Sequence, residues 1–383
     1  MAKWQHCFVD SISAIGAQQW QTLFGQDSVF LRYEFLHALE HSGCTTKEAG
    51  WQPHHLQIID NNTTVAIVPM YIKTDSYGEY VFDWSWADAY HRYGIPYYPK
   101  LVTAIPFTPA TGTRWAKLPS VDDAHLISYI STAINAEIKC LNASSWHCLF
   151  PNQDQSNVLR EHNTLQRIGC QYHWINNHYA NFDDFLTTFN SRKRKNLKKE
   201  RARVKEQGVT LLRKTGDEIT EQEWETFYRF YHYTYLKRSG RQGYLNKTFF
   251  KSLSDNLNDA VMMVVAEKNA DIIAASLFFY DDTTLYGRYW GCEQEQEFLH
   301  FEACYYQGIE FAIERGLKRF DPGAQGEHKI QRGFTPTLTY SNHTIANEQF
   351  REAIARFIEE ETQQVQRYCE HAKTYLPFKQ LDT

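Results

Sequence analysis

No stretch of this 383-residue sequence holds 18 successive apolar residues, so no transmembrane helix is expected. The first ten residues lack the apolar core of a signal peptide, and a cytoplasmic location is the expectation. The eight cysteines (Cys7, Cys44, Cys140, Cys148, Cys170, Cys292, Cys304 and Cys369) show no CxxC spacing. In a reducing compartment they read as small buried hydrophobes. An excess of positive charge is missing too. The formal net charge is −5 and the pI is near 6.3, which argues against global nucleic-acid binding. Walker A, HExxH and GxSxG patterns are absent. His300-Phe301-Glu302 has the HxE form of zinc deaminases, but no PCxxC follows, so no metal site is expected.

What is present is enough for two to three domains with cores of their own. Hydrophobic residues make up 43%, which excludes wholesale disorder. Aromatics reach 15%, a level that suits packed cores and binding clefts alike. Helical spacing runs over 27–40, and 54–72 reads as a hairpin turned at Asp60-Asn61-Asn62. An aromatic strand is predicted over 80–86. Further helices are predicted over 120–138, with Ser120 as N-cap, and over 157–168. Strands are expected at 146–150 and 171–176. This alternation indicates an α/β or mixed layered architecture.

The basic run 192–205 carries nine basic residues of fourteen against one acid and should be helical. Thr220-Glu-Gln-Glu223 reads as a capping box opening an aromatic helix. Another helix at 248–257, strands at 261–267, 272–280 and 284–291, and a helix over 298–316 follow. The second meander repeats the first in pattern, which implies two copies of one α/β module joined near the basic helix. The closing helix, 347–371, can pack on either copy.

Asp321 to Phe334 stands apart. Three glycines, a proline and seven side chains able to carry charge or hydrogen bonds lie between a short strand at 317–320 and a strand at 335–343. Polar loops held between regular elements are a common place for chemistry, though turn glycines in a solvated connection have the same composition.

Several stretches together resemble a known family. They are Tyr93-Gly-Ile-Pro-Tyr-Tyr-Pro-Lys-Leu101, Ile105-Pro-Phe-Thr-Pro-Ala-Thr-Gly112, Ser191-Arg-Lys-Arg-Lys-Asn-Leu-Lys-Lys-Glu-Arg201, Leu285-Tyr-Gly-Arg-Tyr-Trp-Gly-Cys292, Phe301-Glu-Ala-Cys-Tyr-Tyr-Gln-Gly-Ile-Glu310 and Pro322-Gly-Ala-Gln-Gly-Glu-His-Lys329. Over essentially its whole length the chain is similar to the FemAB-like branch of predicted N-acyltransferases, within the GNAT superfamily and related to peptidoglycan biosynthesis. The resemblance implies an α/β fold of tandem GNAT-like domains, each a mixed, mostly antiparallel sheet flanked by helices. The expected divisions are 1–180 and 208–345 for the two domains, 181–207 for a basic connecting helix and 346–383 for the closing helix. It also implies an acyltransferase moving an acyl or aminoacyl group from acyl-CoA or aminoacyl-tRNA to an amine, such as that of a cell-wall precursor. Asp321-Pro-Gly323 and Lys329 to Phe334 resemble the Asp-x-Gly and Lys-x-x-Phe arrangement of Fem relatives, with a different spacing after the lysine.

Acyl transfer from an ester or thioester needs a polarised carbonyl, a deprotonated amine and a hold on an anionic donor. Glu327 and His328, with Glu302 third, are the candidate general bases. Lys329 and Arg332 suit a phosphate or carboxylate, and Asp321 and Gln325 share their loop. On a regular strand Tyr286, Arg288 and Trp290 share one face, as a cleft wall or as a packed cation–π stack. Arg241 and Tyr244 form a possible rim. Tyr97 and Tyr98 suit an acceptor cleft or simple packing. Arg192, Lys193, Arg194 and Lys195 suit either a solvated face or contact with tRNA or CoA phosphates. No tightly bound cofactor is expected, since the segment after Cys292 is acidic and has no Gly-rich pyrophosphate loop. The competing expectation is a non-catalytic module that binds RNA or another polyanion through the basic helix.

Overall fold

A computed structural model describes residues 4–25, 28–324 and 326–379. The chain forms two compact units: the first runs up to Cys170 and includes Leu338–Arg367, the second comprises Gln171–Thr337 and the segment from Tyr368 onward. The basic helix lies within the second, and the closing helix Glu348–Lys373 is divided between the two.

In the first unit an antiparallel sheet of Gln5–Val9, His55–Asp60, Thr63–Val68 and Ala116–Lys117 carries the expected hairpin. Its turn uses Asn61 and Asn62 at φ 47° and 64°, the left-handed region that asparagine tolerates. Trp51–Pro53, Tyr71–Lys73, Lys100–Thr103, Ser145–Leu149 and Ser341–Ile345 form a second set of paired strands. The helix Asp123–Cys140 buries Leu126, Ile127, Ile130, Ile134 and Ile138 in this unit's core.

In the second unit Thr210–Thr215, Val261–Lys268, Asp271–Tyr280 and Thr284–Cys292 pair in antiparallel succession. Arg319–Asp321 then adds in parallel, with Trp174 and Ile175 antiparallel beyond it. The capping box at Thr220 is present and opens the helix Glu221–Ser239. Each copy continues with a helical stretch, a short strand, a short helical segment and an 11-residue strand. These are Asp123–Cys140, Ser145–Leu149, Gln153–Glu161 and Leu165–Ile175 in one, and 299–314, Arg319–Asp321, Glu327–Arg332 and Thr335–Ile345 in the other. The tandem GNAT-like architecture expected from the sequence is borne out.

Several local expectations are not. Residues 80–86 make no strand. Trp84–Arg92 is a helix, because Trp86 and Tyr90 are buried at i, i+4 spacing. Asp122, not Ser120, caps the next helix by accepting from the His125 N–H. The helix expected at 157–168 is Gln153–Glu161, and Leu165 already begins a strand. The first predicted helix is a short 3₁₀ turn, Val29–Leu31, followed by Tyr33–His41, while Asp27 lies outside the described residues. The helix over 298–316 is interrupted by a π turn at Glu302–Tyr306, a distortion frequent at functional sites.

Candidate functional site

The strands Thr284–Cys292 and Arg319–Asp321 pair in parallel only from Thr284 and Arg319 to Tyr286 and Asp321. Beyond that point they are no longer paired. A β-bulge falls there as well: Leu277 opposes Tyr289 and Phe278 opposes Gly287, so Arg288 is the extra residue. The bulge breaks the expected alternation. Arg288 lies over the Tyr286 ring at 5.1 Å, but Trp290 packs into the same core cluster as Leu285. Tyr286 and Trp290 therefore do not share a face.

Arg288 meets Asp321 at this end of the pairing. Its Nη2 donates to Oδ2 at 2.9 Å, and its Nη1 to Oδ1 and to the Asp321 carbonyl at 3.2 Å each. Burial opposes ionisation of Asp321, but the Arg288 charge outweighs it and holds the carboxyl well below its usual range. The Gly323 N–H adds a hydrogen bond at 2.9 Å. His173 Nε2 lies 3.9 Å from Asp321 Oδ1. Burial lowers the His173 pKa to about 4, so near neutral pH the imidazole is uncharged.

Lys329 reaches the same residue, Gly323, at its carbonyl. It sits on the 3₁₀ turn Glu327–Arg332, is 2% exposed, and its Nζ donates to the Gly323 carbonyl at 2.7 Å. Burial depresses its pKa to about 8, partly countered by Asp321. Gly326 and Gly333 bracket the turn at φ 114° and 85°. A Cβ at Gly326 would lie 2.5 Å from the His328 ring, and one at Gly333 2.8 Å from Phe185, so both positions require glycine.

The remaining loop side chains are held tightly. His328 Nε2 pairs with the Tyr305 hydroxyl at 2.8 Å, and its ring lies 5.5 Å from Phe301. Burial among these groups, with Arg332 and Lys329 nearby, lowers its pKa to about 4. Glu327 is exposed and accepts from the Tyr368 hydroxyl at 2.6 Å. Arg332 stacks on Phe301 at 3.4 Å, donates to the His328 carbonyl at 2.8 Å and is bidentate to Glu200 at 2.9 and 3.0 Å through Nη2. Gln325 lies outside the described residues.

Glu302 opens the π turn with its carboxylate on Arg201 at 2.7 Å and Gln307 at 2.8 Å, and Arg201 also holds Glu310 at 2.6 Å. This is an ion-pair network between a helix and its neighbour. Glu302→Gln is expected to lower unfolding free energy by about 1–3 kcal/mol, read by chemical denaturation, and to leave turnover unchanged.

Of the other predicted residues, Trp290 stands edge-on to His300 at 5.4 Å. Burial lowers the His300 pKa to about 3. Lys193 bonds to Gln331 at the 3₁₀ turn, Arg194 is half-buried, and Arg192 and Lys195 are exposed. Arg241 and Tyr244 lie on an exposed loop, where Tyr244 meets Tyr235 at 6.0 Å. Tyr97 and Tyr98 belong to the first unit. The structure therefore brings together Asp321, Arg288, Lys329, His328 and Arg332.

Sequence reasoning missed Glu200, Tyr305, His173 and Phe301. Glu200 had a signal: it is the one acid of the basic run, and it is the group that fixes Arg332.

The FemAB-like family model, described as peptidoglycan biosynthesis/recognition, matches residues 11–380. Among curated proteins none matches. Among solved structures, the C-terminal domain of a putative lysylphosphatidylglycerol synthetase from Agrobacterium fabrum is similar with a TM-score of 0.54 at 8% identity, covering 89% of this chain and 95% of that one. A FemX structure aligns with a TM-score of 0.49 at 11% identity, covering 82% and 93%. A tandem GNAT protein of the clavulanic acid pathway aligns with a TM-score of 0.46 at 6% identity, covering 90% and 99%.

Proposed function

The chain belongs to the FemAB-like family, and on that premise we propose that it transfers an acyl or aminoacyl group from an activated donor to an amine. The observation that carries this reading is Lys329: a buried ammonium where two strands cease to pair, with one hydrogen bond, to Gly323, among the described residues. Its other N–H bonds remain for an incoming oxygen. In the proposed step the acceptor nitrogen attacks the carbonyl carbon of a thioester or ester. The carbonyl oxygen gains negative charge, and Lys329 stabilises it as the tetrahedral intermediate forms. Collapse expels the thiolate of CoA or the ribose oxygen of aminoacyl-tRNA, and the leaving group takes up the proton lost by the amine. Glu327 and His328, on the same turn, are the groups proposed to relay that proton.

Donor and acceptor are part of the proposal. Acyl-CoA and aminoacyl-tRNA both present the required carbonyl beside phosphates, and the peptidoglycan wording of the family description supports the amine of a cell-wall precursor as acceptor. The exposed Arg192 and Lys195 suit the phosphates. Neutralising both should weaken binding of either donor and, for tRNA, flatten its salt dependence by a slope of roughly 1.4–1.8 for two phosphate contacts. Salt-dependent RNA binding without turnover from any donor favours the non-catalytic reading instead.

Because the ammonium is the working form, kcat should fall as pH rises through about 8, the pKa set by burial of Lys329. A pH–rate profile with no descending limb in that region contradicts the assigned role. Turnover in a Glu327→Gln/His328→Ala double variant equal to wild type removes the proton relay alone.

A further inference from the structure

The first unit contains a second polar centre, independent of Lys329 and of the proposed transfer. Lys73 and Lys100 are direct cross-strand partners on Tyr71–Lys73 and Lys100–Thr103, and both are fully buried. Like charges placed opposite each other destabilise a sheet unless something compensates them. The compensation comes from the segment that follows Lys73. Asp75 accepts from Lys73 at 3.2 Å, Glu79 from Lys100 at 2.9 Å, and Asp83 also accepts from Lys100. Ser76 takes the third Lys100 bond at 2.8 Å, so the ammonium has no donor to spare.

The carboxylates, by contrast, have acceptors to spare. Glu79 Oε1 and Asp83 Oδ1 are buried with no hydrogen-bond partner. Buried carboxylate oxygens left unsatisfied are costly. Counting Asp75, whose side chain is 36% exposed, the ammoniums of Lys100 and of Lys73, which burial lowers to about 8, face three carboxylates and leave one negative charge in excess. The other titratable neighbours do not supply the missing charge. Tyr97 donates its hydroxyl to Asp83 at 2.6 Å, and Tyr98 bonds to Ser76 at 2.8 Å. Burial lowers the His147 pKa to about 3, so it is neutral. The centre lacks one positive charge and N–H donors for two oxygens.

We propose that this centre binds the primary ammonium group of a small molecule, with Glu79 Oε1 and Asp83 Oδ1 as its acceptors. Aromatic rings at the outer side of the same segment fit this chemistry. Tyr77 and Trp84, which adjoin Ser76 and Asp83 in sequence, are 46% and 42% exposed and meet edge-on at 5.2 Å, and Tyr98 is half-buried. Faces of this kind attract ammonium ions. Without the ligand the missing charge is met by a proton: burial raises the Glu79 pKa to about 7 against the opposing pull of Lys100. The ligand must displace that proton, so its affinity rises with pH.

Calorimetric titration of the full chain with n-propylammonium chloride tests this. Saturable one-to-one binding is expected at about pH 8, and about tenfold weaker binding at about pH 6, where Glu79 holds its proton. Tetramethylammonium, which has no N–H donor, should not bind. Glu79→Gln keeps the size of the side chain and removes the excess charge. It should abolish binding while its thermal melt stays at or above that of the wild type. Absence of saturable binding, as expected if a buried water fills the centre, overturns the proposal. So do pH-independent binding, displacement by sodium chloride at equal concentration, and unchanged affinity in Glu79→Gln. None of these readouts depends on turnover, so the proposed transfer can fail without affecting them.

Discussion

Lys329→Met is expected to lower turnover by about 10²–10³-fold, the loss that follows removal of one oxyanion donor, while leaving the protein as stable as before or more so. The two effects have one cause. Burial depresses the Lys329 pKa from 10.5 to about 8, so at neutral pH the folded chain carries an ammonium it has little means of solvating. The shift corresponds to roughly 3 kcal/mol of stability forgone. Between pH 8 and 10.5 the folded state binds fewer protons than the unfolded one, so wild-type stability should rise with pH across that window. Methionine fills similar space without charge and should remove the Lys329 share of that rise, leaving the share of Lys73, which burial also lowers to about 8. Thermal melts at several pH values, read beside turnover, separate this outcome from a merely structural role, in which activity and melting temperature fall together.

Asp321→Ala should have the opposite profile, with a loss of about 3–5 kcal/mol of stability, the range measured when one partner of a buried pair is removed. Arg288 would keep its charge, buried to 3% exposure of the side chain, with its carboxylate partner gone. The depressed Asp321 pKa fixes the pH sign. Its contribution is fully present above the unfolded value of about 4 and is lost as pH falls through the lower folded value. Chemical denaturation at neutral pH and in acid checks both points, because the gap between wild type and variant should close only in acid. Asp321→Asn keeps the shape but withdraws the charge that supports the Lys329 ammonium. The descending limb of the pH–rate profile should therefore move below 8.

Much of the fold was legible because its signals are local. The capping box at Thr220, the Asn61-Asn62 turn and the alternating strands of the second meander each follow from adjacent residues and formed as expected. Failures came where tertiary burial overrode local pattern. The aromatic run 80–86 has strand-like composition, yet Trp86 and Tyr90 reach one core only from a helix. The bulge at Arg288 is equally invisible in the sequence. An extra residue in a ladder is defined by the partner strand, and it reversed the face assigned to Trp290. The glycine-rich loop stood out by composition, which a solvated connection shares, and by the family resemblance. Which of its cations is held did not. Arg332 is fixed by Glu200, 132 positions away in the chain, whereas Lys329 hydrogen-bonds only to a backbone carbonyl among the described residues. In the first unit the pairing of Lys73 with Lys100 depends on strand register, so neither the excess charge nor the orphaned oxygens of Glu79 and Asp83 were foreseeable.

The mass of the acceptor tests the proposed transfer most directly. A cell-wall precursor peptide with a free amine is incubated with the full chain and aminoacyl-tRNA, and separately with acyl-CoA, and its mass is read before and after. A gain of one aminoacyl or acyl group is expected with one of the donors, lost or severely reduced with Lys329→Met at a melting temperature no lower than that of the wild type. No mass gain with either donor, or an equal gain with the folded Lys329→Met variant, would contradict it.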